Sequence, residues 1–186
     1  MRKLITFDSI SLDGYYAALD GDMSWAHRHD PEWQTFVEGN ASGGGELWFG
    51  RVTYDMMVSY WPTPMAAKNN PIVAAKMNAA PKVVFSRTLK EAAWSNTRLV
   101  NGDLASEVRK MKSEPGPGIA ILGSGSIVRQ LTDERLIDEY QIVVSPVAFG
   151  AGKALFAGLR SKLNLKLTST RAFGNGNVVL CYEPAP

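Results

Sequence analysis

The apolar segment Ile119–Leu122 runs straight into Gly123-Ser124-Gly125-Ser126, after which Ile127, Val128 and Leu131 recur at helical spacing. A strand, a glycine-serine turn and a helix in that order can hold an anion. Glycines let the backbone approach a ligand, the free N–H groups of the first helical turn favour negative charge, and serines add hydroxyl donors. The dinucleotide fingerprint is met only in part. Val128 stands at its third glycine position, and the acidic residue expected at the end of a second parallel strand is missing. Without a ligand the same residues make an ordinary strand-to-helix turn.

Two more strand ends carry similar chemistry. Gly50-Arg51-Val52-Thr53 follows the short apolar strand Glu46–Phe49, where Arg51 offers a planar fork of donors and Thr53 a hydroxyl. Ser86-Arg87-Thr88 leaves the strand Lys82–Phe85. Ligands in open α/β sheets lie at the carboxyl ends of strands, so three such ends tell more than one. Two arginines favour an additional phosphate, as in NADP rather than NAD.

Other candidates are weaker. Gly150-Ala151-Gly152-Lys153 hints at a phosphate loop, but Val147 and Ala154 occupy positions where that motif requires Gly and Ser or Thr. His27 and His29 are the only histidines and sit two apart in a loop, a poor basis for a metal site or a Ser-His-Asp hydrolase. No zinc-deaminase pattern is present. The single cysteine, Cys181, excludes an internal disulfide and reads as packing in the last strand. Asp13, Asp30 and Glu32 are the natural proton donors, although Asp13-Gly14 also reads as a turn and Asp30 before Pro31 as a helix N-cap. Trp25 can cover a planar substrate or pack beneath its own loop.

The elements that must position these residues alternate along the first two thirds of the chain. Lys3–Ile10 is the first strand, and a helix starts at Asp30-Pro31 with Trp33, Phe36 and Val37 on one face. A second helix opens at Gly50 with Val52, Met56 and Tyr60 at four-residue spacing, and Trp61-Pro62-Thr63-Pro64 stops it. A third begins at Asn70-Pro71, and Asp103 caps a fourth. This order argues for parallel strands with helices on both faces. Leu136–Ser145, Leu163–Arg171 and Val178–Glu183 then follow as strands, the last two joined by the turn Gly174-Asn175-Gly176-Asn177. The expectation is one α/β domain over residues 1–186, its mixed, mainly parallel sheet finished by an antiparallel hairpin.

Composition sets the class. In 186 residues, 45% are apolar and 20% charged, and Lys+Arg 20 against Asp+Glu 18 leaves +2. That is globular, with too little charge for an electrostatically driven nucleic-acid or membrane binder. Asp8 and Asp13 interrupt any N-terminal apolar signal, which makes a cytoplasmic location the expectation.

In order along the chain stand Ser11-Leu12-Asp13-Gly14, Ser24-Trp25, Gly50-Arg51-x-Thr53-Tyr54, Lys82-Val83-Val84-x-Ser86-x-Thr88, Leu122-Gly123-Ser124-Gly125, Leu136-Ile137-Asp138-Glu139, Pro146-Val147 and Gly150-x-Gly152. This ordered set resembles the dihydrofolate-reductase-like superfamily, and most closely the C-terminal reductase domain of bifunctional riboflavin-biosynthesis proteins and its stand-alone relatives. The resemblance implies a three-layer fold and an NADPH-dependent hydride transfer to a pyrimidine- or pteridine-like substrate, of the 5-amino-6-(5-phosphoribosylamino)uracil reductase type. It puts the cofactor on Gly50, Arg51, Thr53, Ser86, Arg87, Thr88, Gly123, Ser124, Gly125, Ser126 and Ile127. Asp13, Trp25, Gly150 and Gly152 border the substrate, and the superfamily acid falls on Asp30, with Glu32 close by. No metal is implied, and a homodimer suits the long apolar C-terminal strands. A nucleotide-binding protein on the same fold without catalysis is the alternative.

Overall fold

The structure, a computed structural model, describes residues 1–186. In chain order the elements are β1 (Leu4–Ser11), β2 (Tyr15–Ala17), a 3-10 turn (Ser24–Ala26), α1 (Pro31–Ser42), β3 (Glu46–Gly50), α2 (Arg51–Tyr60), α3 (Pro64–Asn69), α4 (Pro71–Ala79), β4 (Lys82–Phe85), β5 (Thr97–Val100), α5 (Leu104–Ser113), β6 (Ile119–Ile121), α6 (Gly125–Asp133), β7 (Glu139–Ser145), β8 (Lys153–Ala154), β9 (Leu165–Ala172) and β10 (Val178–Pro184). Eight strands form one sheet in the order β5-β4-β3-β6-β1-β7-β10-β9, and β2 with β8 makes a separate two-stranded ribbon. Pairing is parallel from β5 across to β7, and antiparallel for β7–β10 and β10–β9. This is the mixed sheet with a C-terminal hairpin that the sequence predicts.

Strands buried on both faces have no alternation to show, and β4 is buried at all four positions. Successive residues instead feed two separate cores. Leu4, Trp48, Val83, Ile121 and Ile142 pack with Val108 and Met111 of α5 and Ile127, Val128 and Leu131 of α6. On the opposite face Phe49 and Val84 meet Tyr54, Val73 and Met77 from α2 and α4. Further along that face Phe7, Val143 and Val179 meet Trp33 and Phe36 of α1 and Phe173, with Cys181 packed alongside. Each fully buried apolar side chain contributes about 1.5–3 kcal/mol. Three layers result. No helix is long and apolar enough to cross a membrane.

Two local expectations change. Val52 and Met56 are 66% and 45% exposed, while Thr53 and Tyr54 are buried. Two apolar stripes compete on α2, and the Tyr54 hydroxyl decides between them by accepting the Trp94 N–H at 2.9 Å. The Pro-rich stop after α2 is also a start: Thr63 caps α3 by accepting the Ala66 N–H at 3.2 Å.

Candidate functional site

The parallel strands β3, β4 and β6 end together, and two of them turn directly into helices. The Gly50 N–H donates to the Gly123 carbonyl at 3.0 Å, which binds the β3–α2 and β6–α6 turns to each other. The fit is tight enough that a Cβ on Gly50 would overlap Ser124 Oγ. Gly123 has φ +103° and faces Thr53 Oγ1, and the Gly123–Ser124 peptide is cis. Asp30, Thr63 and Asp103 cap α1, α3 and α5 through their side chains, but Gly50 and Ser124 give α2 and α6 no such cap. The first turns of two neighbouring helices therefore meet without a side-chain cap at the carboxyl ends of β3 and β6, with the positive ends of both helix dipoles beside each other.

Around this double turn the predicted cofactor residues sort by what they touch. Arg51 pairs with Asp55 at 3.1 Å, both half exposed. Ser86 Oγ accepts from the N–H groups of Thr88 (3.2 Å) and Leu89 (2.9 Å), folding the turn that leaves β4 and presenting Arg87 to solvent. Ser126 is exposed on the first turn of α6, and Ile127 is buried beneath Gly50. Gly125 is filled from the protein side: a Cβ there would lie 2.5 Å from the Tyr16 ring. Gly125→Ala should therefore cost about 1–3 kcal/mol by overpacking, with part recovered in the Gly125→Ala/Tyr16→Leu double variant, as thermal unfolding would measure.

Above the ends of β1 and β7 the four predicted substrate residues come together as one loop assembly. The Asp13 carboxylate accepts from Ser11 Oγ (2.6 Å), Gly150 N (2.7 Å) and Phe149 N (3.0 Å). The Ser11 hydroxyl first, then those backbone N–H groups, hold it below the usual carboxylate range. Trp25 stands edge-on to Phe149 with ring centroids 5.4 Å apart. Gly152 lies against Ala17 and Tyr15 where β2 meets β8. Beside this assembly Ser24, Trp25, His27, Arg28, His29 and Asn175 line an open depression of about 460 Å³. No three His, Cys, Asp or Glu side chains converge to hold a metal ion.

The acids are already engaged. Asp30 Oδ1 caps α1 by accepting the Trp33 N–H at 2.8 Å, while Oδ2 faces the hairpin at Gly174. Glu32 is exposed and pairs with Arg171 at 2.7 Å. What α1 turns toward the sheet is aromatic: Trp33 and Phe36 stack at 5.5 Å, and Phe173 meets Trp33 edge-on at 5.0 Å.

Asp8 is not among the predicted site residues. It is buried in the middle of β1, on the face that α6 covers, and its one hydrogen-bond partner is the Thr6 hydroxyl. Burial pushes its carboxyl up to about 6, against the lowering effect of Thr6. Burial, and then the Asp8 charge, raise the phenol of Tyr16, the residue that covers Gly125. The only charged residue in a strand otherwise built of apolar and hydroxyl side chains was the available signal.

The protein YyaP of Bacillus subtilis strain 168 is 28% identical over 182 residues, covering 98% of this chain and 95% of its own. A Shewanella sp. PV-4 protein named for riboflavin biosynthesis superposes with TM-score 0.76 at 24% identity, over 99% of both chains. The Thermotoga maritima diaminohydroxyphosphoribosylaminopyrimidine deaminase/5-amino-6-(5-phosphoribosylamino)uracil reductase gives TM-score 0.69 at 14% identity, over 99% of this chain and 57% of that one. Enterococcus faecalis dihydrofolate reductase, solved with NADP(H) and RAB-propyl, gives 0.68 at 14%, over 99% and 97%. The fold is that of dihydrofolate reductase. The family profile of the RibD C-terminal domain matches residues 2–179, and the chain belongs to that family.

Proposed function

We propose that this protein is an NADPH-dependent reductase that passes a hydride to a pyrimidine- or pteridine-like substrate, of the 5-amino-6-(5-phosphoribosylamino)uracil reductase type. The observation that carries the reading is the double turn, where the Gly50 N–H donates to the Gly123 carbonyl at 3.0 Å and the N-termini of α2 and α6 have no side-chain cap. Such paired helix ends suit a pyrophosphate, and Gly50, Thr53 and Gly123 to Ile127 would hold it. Arg51 and Arg87, at the ends of the neighbouring strands β3 and β4, would take the 2′-phosphate. When bound, the dinucleotide supplies the hydride. Asp13 fixes the β7–β8 loop that bears Gly150 and Gly152, Trp25 packs on that loop through Phe149, and Trp33 and Phe36 would give a flat ring an aromatic wall. Asp30, whose Oδ2 is not used in capping and faces the hairpin at Gly174, would be the general acid.

Calorimetric titration with NADPH and NADH tests this reading. Arg87→Ala should weaken NADPH roughly tenfold to a hundredfold, the worth of one charge-assisted contact, and leave NADH nearly unchanged. Equal weakening of both would make Arg87 structural, and no binding of either to the parent protein would end the reading. The engagement of Asp13, Asp30 and Glu32 favours a second reading, a dinucleotide binder without catalysis. It predicts NADPH binding with no substrate-dependent oxidation across pteridines and ribosylaminopyrimidines.

A further inference from the structure

Three side-chain polar atoms lie buried and unpaired side by side where β7 ends and β10 begins. They are Ser145 Oγ and both ends of the Asn177 carboxamide. Ser145 and Asn177 are each fully buried. Val178 pairs with Val144, so Asn177 stands across from Ser145, and Ser11 pairs with Ser145 on the other side. Alternation along the strands puts Ser145 on the same face as Val143, and Asn177 on the same face as Val179. The polar row thus continues the layer that meets Trp33, Phe36 and Phe173. Ser11 is already satisfied, donating to Asp13 and accepting from the Tyr15 N–H. Ser145 and Asn177 are not.

Buried polar groups are almost always paired, so an adjacent hydroxyl and carboxamide without partners ask for one from outside the chain. A carboxamide offers an acceptor and donors in one plane, the complement of an adjacent N–H and C=O. We propose that Ser145 and Asn177 read the lactam edge of a heterocyclic substrate whose ring lies along the Trp33–Phe36 wall. The proposal rests on the reductase reading and names which chemical edge that site selects. Arg28 Nε donates to the Asn175 carbonyl and Asn175 Nδ2 donates to the Arg28 carbonyl, both at 3.2 Å. These bonds tie the Trp25–His29 loop to the hairpin turn that carries Asn177.

The test uses 5-aminouracil as probe and 2,4-dimethoxypyrimidine, which lacks the lactam edge, as control. In the parent protein 5-aminouracil should move the Asn177 side-chain amide resonance and the control should not. Asn177→Leu and Ser145→Ala should melt at or above the parent temperature, because each removes an unpaired buried polar group, and should bind 5-aminouracil at least tenfold more weakly. Lower melting in whichever variant folds would mean that these atoms hold the structure or a trapped water, and would overturn the proposal. So would retained probe affinity, or an unmoved resonance in a protein that binds NADPH. A parent protein that binds neither NADPH nor probe would end the reductase reading as well.

Discussion

Asp8→Asn should be about 3 kcal/mol more stable than the parent above pH 7 and about equally stable near pH 3, as urea unfolding across that range would show. The carboxyl titrates at about 6 in the folded protein against an ordinary 3.8. Below 3.8 it is protonated in both states and costs nothing. Between 3.8 and 6 the unfolded chain releases the proton while the fold keeps it, so stability falls with rising pH, and above 6 the full cost remains. Asparagine fills nearly the same volume and cannot ionise, which removes this slope. The Thr6 hydroxyl is the only polar group that bonds Asp8, and Ile142 pairs with it across the strand, so nothing nearby compensates the charge. A variant with the parent's pH slope would show that another group sets it. The same substitution should return the Tyr16 phenol toward its ordinary range, readable from labelled tyrosine resonances.

Lys82→Met should destabilise the protein by about 2–4 kcal/mol at neutral pH in the same measurement. Lys82 opens β4, is 1% exposed, and donates to the carbonyls of Met77 (2.9 Å), Asn78 (3.1 Å) and Ala80 (2.7 Å). Those carbonyls end α4, where the helix leaves acceptors unpaired and the negative end of its dipole favours a cation. The ammonium also lies 4.5 Å from the Trp94 ring centroid. Burial lowers its pKa to about 8, so the ammonium is still charged at pH 7 but carries a desolvation cost that the three carbonyls and the helix end must offset. Methionine keeps the apolar stem and deletes the donors, so the carbonyls lose their partner and β4 loses its anchor to α4. A loss under 0.5 kcal/mol would show that water replaces the ammonium without cost.

Local chemistry alone determined most of the fold. Asp30-Pro31 and Asp103 start their helices where the sequence says, because a cap is made within a few residues. The turn after Phe173 joins β9 to β10 for the same reason, with Gly176 at φ +86°. The glycine turns after β3 and β6 were legible as residues, but their union through Gly50 N–H and Gly123 O was not, since it joins positions far apart in the chain. Tertiary packing also chose the buried stripe of α2, because Val52-Met56 and Tyr54-Val58 have the same four-residue spacing and only Trp94 separates them. It left β9 at the sheet edge, where Leu163 and Leu165 pack on the core and Leu167 stays 48% exposed. Asp30 and Glu32 are acids in any sequence reading, and only their partners, Trp33 N–H and Arg171, show how they are spent. The unpaired Ser145 and Asn177 could not be read at all. A side chain's lack of a partner is a property of everything that surrounds it, and that exists only once the sheet has brought β7 and β10 together.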